Sequence, residues 1–186
     1  AAAAERRVQR LAAEARNLRE LAARIQAASQ RRSRATTPSG PPVIPAAWHA
    51  PAEGSILRNF GARDAGGPPQ QGATLRTRAR AQVVSPAAGE VAYAGLFRSY
   101  GQVLILNLDG GYVLVLTGLE NTRARVGDRV QAGQPVGEMP NSDTSAPELY
   151  VEVRRNGQPI DPARWLIARG LAAGQTVAEN ETRSGR

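Results

Sequence analysis

The chain has 186 residues, 41% of them apolar and 4% aromatic, with a formal net charge of +8 and no cysteine. That is enough for one ordinary domain with extensions, and it excludes disulfides and thiolate metal sites. The charge is uneven: nine arginines and three glutamates fall in residues 1–34, leaving only +2 on the rest. With few aromatics and a nearly balanced remainder, nucleic acid is not an expected partner.

Residues 4–28 read as one helix. Val8, Leu11, Ala15, Leu18, Ala22 and Ile25 recur at spacings of three and four, an a/d seam weakened by its two alanines. Such a seam either docks on its own domain or continues a longer coiled coil as a regulatory arm. Residues 29–50 hold Pro38-Ser39-Gly40-Pro41-Pro42 and Pro45, which cannot continue a helix and favour an extended tether. His49, the single histidine, ends this stretch beside Trp48 and reads as a surface residue. No signal peptide and no apolar run of membrane-spanning length is visible.

From residue 51 the pattern changes to short strands. Residues 103–108 and 112–116 are nearly continuous aliphatic runs around Asp109-Gly110-Gly111, a hairpin whose strands are covered on both faces. Glycine turns punctuate residues 85–89, 95–101 and 126–137. Pro147-Glu148-Leu149-Tyr150-Val151-Glu152-Val153-Arg154 alternates with period two, so Leu149, Val151 and Val153 face a core and Glu148, Tyr150, Glu152 and Arg154 the other side. Asp143 and Glu152 read as solvated surface. Residues 162–168 form a terminal turn or short helix around Trp165, and 171–186 a flexible tail. The expected fold is mainly β: a compact antiparallel sandwich of short strands over residues 51–170, preceded by an N-terminal helix and a linker over 29–50.

The alternating strand, the Pro86-x-x-Gly89 turn and the unit Val126-Gly127-Asp128 to Gly133-Gln134-Pro135-Val136-Gly137 resemble the lysostaphin/LytM-type zinc endopeptidase domain. In that family a His-x-Gly-x-Asp segment and the second histidine of a His-x-His strand bind zinc; the remaining histidines act on the bound water. Carried over by resemblance, the ligand positions are Gln70, Thr74 and Tyr150, and the other histidine positions are Glu148 and Gly118. No zinc-binding set survives, so no cofactor and no catalysis are expected, and a zinc endopeptidase is disfavoured. The short-strand unit also resembles biotinyl and lipoyl carrier domains, which attach their cofactor to lysine; this chain has no lysine.

Retained framework with lost chemistry resembles the EnvC-like and NlpD-like murein hydrolase activators, to which Tyr150 in place of a histidine adds an EnvC-like feature. The resemblance implies a periplasmic chain, its export signal absent from this sequence. It implies binding and activation of a periplasmic N-acetylmuramoyl-L-alanine amidase in cell division, and names an inner-membrane division complex, through the N-terminal helix, and peptidoglycan as further partners. Expected groove residues are Leu75, Phe97, Tyr100, Thr117, Leu119 and Tyr150, with Arg98 and Arg154 on the rim. A peptidoglycan-binding or scaffold domain without an amidase partner is the alternative.

Overall fold

The computed structural model describes residues 2–14, 17–32, 43–63 and 67–173. Parts of several expectations lie outside them: Ala15 of the helical seam, the linker over 33–42, Gly66 and the tail from 174; the side chains of Val8 and Leu11 are likewise outside.

The N-terminal stretch forms two helices, α1 (Ala2–Glu14) and α2 (Leu18–Arg32), where the seam predicts one. Asn17 accounts for the second start. Its Oδ1 accepts the Glu20 N–H at 2.9 Å, and an asparagine that satisfies a first-turn N–H is a helix N-cap. Within α2, Arg24 closes an i,i+4 pair on Glu20 at 2.7 Å.

Eleven strands follow among the described residues: β1 (Ser55–Arg58), β2 (Ala73–Arg76), β3 (Gln82–Val84), β4 (Gly89–Leu96), β5 (Gln102–Leu108), β6 (Tyr112–Leu119), β7 (Asn121–Thr122), β8 (Arg129–Val130), β9 (Pro135–Glu138), β10 (Glu148–Arg155) and β11 (Gln158–Ile160). They build an eight-stranded sheet in the order β1-β2-β10-β6-β5-β4-β8, with β11 also on β10, and a three-stranded sheet β3-β9-β7. Every named strand pairing is antiparallel. The turn between β5 and β6 is made by Gly110 and Gly111 at φ 89° and 81°, and that between β10 and β11 by Asn156-Gly157 at φ 52° and 79°, both asking for residues that tolerate the left-handed region. The fold is thus mainly β, with helices at the N-terminus and a short α3 (Ala163–Ala168) near the end.

The large sheet is covered on both faces. On one, Leu104, Leu106, Leu114, Leu116, Leu149, Val151 and Val153 meet the small sheet and Trp165 and Leu166 of α3 in the main core. That core reaches further upstream than a boundary at residue 51. Ile44 and Trp48 belong to it, Trp48 packs edge-on against Tyr112 and Trp165, and its carbonyl accepts the Trp165 indole N–H. The last part of the expected tether is therefore core.

The other face is covered by α2. Leu18, Leu21, Ala22 and Ile25, spaced i, i+3, i+4, i+7 along one helix stripe, bury against Ala92, Tyr93, Phe97, Val103, Ile105, Val113 and Val115. Of the two readings of the seam, α2 follows the first: it is packed on the chain's own sandwich. No described helix is long and apolar enough to cross a membrane.

Candidate functional site

Strand register sets the site. Tyr150 on β10 lies opposite Thr74 on β2 and Thr117 on β6, so three side chains form a row across three strands on the α2 side of the sheet. A groove of about 410 Å³ opens over this row beside the N-terminal end of α2. Gln70, Thr74, Glu148 and Tyr150, four of the five expected positions, line it together with Tyr100 and Thr117. The fifth, Gly118, lies against β10: a Cβ there would sit 2.2 Å from the Glu148 carbonyl oxygen, at φ 96°. Glycine is what permits that approach.

Several polar side chains of the groove are paired within the chain. Glu148 pairs with Arg58 of β1 at 2.7 Å. The Thr74 hydroxyl lies 3.4 Å from the Gln70 carboxamide oxygen. Tyr150 donates its hydroxyl to Glu152 at 2.8 Å. Burial, reinforced by the Glu152 charge and that hydrogen bond, pushes its phenol well above the ordinary tyrosine range, so it is neutral at any physiological pH.

Other expected groove residues fall elsewhere. Leu75 and Leu119 are buried in the main core on the opposite face of the sheet: Leu75 is the neighbour of Thr74 along a strand, and alternate side chains leave on opposite faces. Phe97 is buried under α2, flanked by Tyr93 and a stacked Tyr100, with Arg98 over its ring. Arg98 is exposed, in the loop between β4 and β5. Arg154 is not on a rim, and Glu152 is not solvated: they are 6% and 2% exposed and form an ion pair of 2.8 Å. The Arg154 guanidinium also donates to Gln26 of α2 at 3.3 Å, to Gln71 at 3.1 Å and to the Gly157 carbonyl at 2.9 Å. Gln26, Gln71, Arg58 and Arg19 are groove or network residues that sequence reasoning missed. The available signal was the alternation itself, which places Glu152 and Arg154 on the face of Tyr150, where opposite charges two residues apart can meet.

A closed sandwich with a groove over a histidine-free version of a His-x-His strand defines the class: a peptidase-like domain with an altered centre. The profile of Peptidase family M23 matches residues 68–162, and the chain belongs to that family. Among curated relatives, the murein hydrolase activator NlpD of Salmonella dublin is 31% identical over 124 residues, covering 66% of this chain and 32% of NlpD. An NlpD/LppB lipoprotein homologue of Pseudomonas aeruginosa is 31% identical over 132 residues, covering 70% and 43%. This chain thus spans about a third of the length of the NlpD relative. The solution structure of lysostaphin superposes with a TM-score of 0.53 at 22% identity, covering 68% of this chain and 58% of lysostaphin. A zinc-containing peptidase from Vibrio cholerae does so with 0.53 at 18%, covering 69% and 40%. These two likenesses establish the fold.

The residues present do not fit the family's zinc. A zinc site of this kind needs three nitrogen, sulfur or carboxylate ligands and an open position. Here Gln70 and Thr74 are neutral, the Tyr150 phenol holds its proton toward Glu152, and the Glu148 carboxylate faces a guanidinium. His49 stands elsewhere, beside Gly133 in the turn between β8 and β9. Among the described residues no group of three histidine, cysteine or acidic side chains could hold a metal.

Proposed function

We propose that this chain is the M23-type part of a non-catalytic murein hydrolase activator of the bacterial envelope, whose groove docks a helix of a periplasmic N-acetylmuramoyl-L-alanine amidase, in the setting of cell division. The observation that carries this reading is the apolar face beside the groove. Val103, Ile105, Val113 and Val115 with Tyr93 and Phe97 make a floor that α2 shows to be shaped for an amphipathic helix. The relatives named murein hydrolase activators support the activating role at the level of the family branch, and the lipoprotein name of the Pseudomonas aeruginosa relative supports an envelope location. They carry the NlpD name, so the finer EnvC-like assignment rests on the residue pattern of β10.

In this reading α2 and the partner compete for one seat. An amidase helix gains the floor only as α2 leaves it, so the net affinity is the partner's own affinity reduced by the free energy of seating α2. Activation then follows from preferential binding to the active form of the amidase, with no chemistry by this chain.

The test is dye release from labelled sacculi with the full chain alone, with a periplasmic amidase, and with both, for wild type and for Leu21→Glu, which unseats α2. The expected result is no release by the chain alone, and stimulated release with amidase that is stronger for Leu21→Glu. Release by the chain alone would make it an enzyme. Retention on sacculi with no effect on the amidase would favour the peptidoglycan-binding alternative.

A further inference from the structure

The Glu152–Arg154 pair is a polar junction at which α2, the floor of the groove and its wall meet. On the floor, Glu152 accepts the Tyr150 hydroxyl through Oε2 and the Arg154 guanidinium through Oε1. On the wall, Arg154 Nη1 also donates to Gln71, which lines the groove with Pro68, Pro69 and Gln70. On the helix, Arg154 Nε donates to Gln26 Oε1. Gln26 is 3% exposed, and its Nε2 finds no partner among the described residues. A buried amide held by one half only is an unusual choice on an otherwise apolar helix stripe, and what the retained half does is complete Arg154.

We propose that Arg154 couples the seating of α2 to the order of the groove wall: with Gln26 in place the guanidinium is fully engaged and aimed at Gln71, and without Gln26 it turns from Gln71 and the wall over residues 68–71 loosens. The physical reason is geometric. A planar guanidinium presents its donors in a rigid fork; with the acceptor at Nε lost, the plane is held by Glu152, the Gly157 carbonyl and Gln71 alone, and it can tilt on the first two away from the longer bond to Gln71. A helix that departs would thus leave behind a wall able to adapt to a different occupant. The coupling rests on the groove reading only for its use, because its test contains no amidase and reports on the chain by itself.

Two backbone amides report on the wall: Gly61 N–H donates to the Gln70 carbonyl and Gln70 N–H to the Ala62 carbonyl. Their hydrogen exchange should be followed in the full chain for wild type, Gln26→Leu, Gln71→Ala and Leu21→Glu. Gln26→Leu removes the acceptor for Arg154 together with the unsatisfied donor while keeping an apolar stripe. The expected result is that α2 amides exchange no faster than in wild type, whereas Gly61 and Gln70 exchange about tenfold faster, approaching the Gln71→Ala level. An unloosened helix above a looser wall cannot arise from general destabilisation. Leu21→Glu, which unseats α2 and withdraws Gln26 with every network residue unsubstituted, should accelerate α2 and the wall together. Unchanged exchange at Gly61 and Gln70 in Gln26→Leu overturns the proposal. So does acceleration in Gln26→Leu that extends equally to β5 and β6, or an α2 that opens in Leu21→Glu over an unaltered wall.

Discussion

Tyr150 is half core and half groove. Its ring borders the cluster under α2 while its edge lines the cavity, so two substitutions are needed to separate its roles. Tyr150→Ala should weaken amidase binding by about 2 kcal/mol or more if the ring is a hot spot. Val151→Ala, in the main core, should lower the melting temperature while leaving amidase stimulation per folded molecule intact. Tyr150→Phe addresses the hydroxyl. Because burial and Glu152 raise the phenol in the folded state, the unfolded chain releases this proton first, from about pH 10. Stability is therefore fully present below that pH and falls as pH rises above it, by at most about 1.4 kcal/mol per pH unit from one tyrosine. The chain has no lysine, so tyrosines dominate this limb; buried Tyr93, raised by desolvation, contributes as well. Denaturant midpoints from pH 9 to 11.5 should fall less steeply in Tyr150→Phe than in wild type. Gly118 supplies a further residue-scale expectation. Gly118→His would place a side chain against the Glu148 carbonyl at positive φ, a backbone cost of about 1–3 kcal/mol before the collision is counted. Calorimetry and elemental analysis should find a lower melting temperature and no stoichiometric zinc.

Among the elements, the capped start of α2 and its apolar stripe hold the helix on the sheet beside the groove. Asn17→Ala removes the bond to the Glu20 N–H and should cost α2 about 1 kcal/mol, read as faster amide exchange along the helix and stronger amidase stimulation, with β5 and β6 unaffected. Arg154→Ala is the contrasting case on β10. It leaves Glu152 buried without its cation, a penalty of about 3–5 kcal/mol for a broken buried pair, so urea unfolding should shift far more than for Arg58→Ala, whose partner Glu148 is partly exposed and whose pair is worth about 1 kcal/mol or less.

For the whole molecule, the two coverings of the large sheet differ in what they hold. Removing residues 1–32 should leave a cooperatively unfolding sandwich, since the main core lies elsewhere, but it bares the apolar floor under α2. An exposed patch of that kind drives association, so light scattering should show a concentration-dependent oligomer that the full chain does not form. Removing residues 1–50 also takes away Ile44 and Trp48. Loss of a buried tryptophan of this sort costs about 3–5 kcal/mol, and the truncated sandwich should melt well below the shorter deletion. Similar melting of the two truncations would place Trp48 outside the energetics of the core.

The strand pattern and the β5–β6 hairpin were legible from residues alone, because each is local: period-two alternation and glycines at left-handed turns. With the family resemblance, so was the change at the three ligand positions Gln70, Thr74 and Tyr150. The sequence by itself also determined that β5 and β6 are covered on both faces, since an aliphatic run has no polar side to offer water. What covers the second face was decided only in three dimensions. Leu18, Leu21, Ala22 and Ile25 make the same stripe whether they meet a second helix or a sheet, and periodicity carries no information about the partner surface. The same holds for Glu152 and Arg154. Two charges on an alternating strand read as solvated until a distant helix removes the water above them, and their burial is then a property of the packing rather than of the strand.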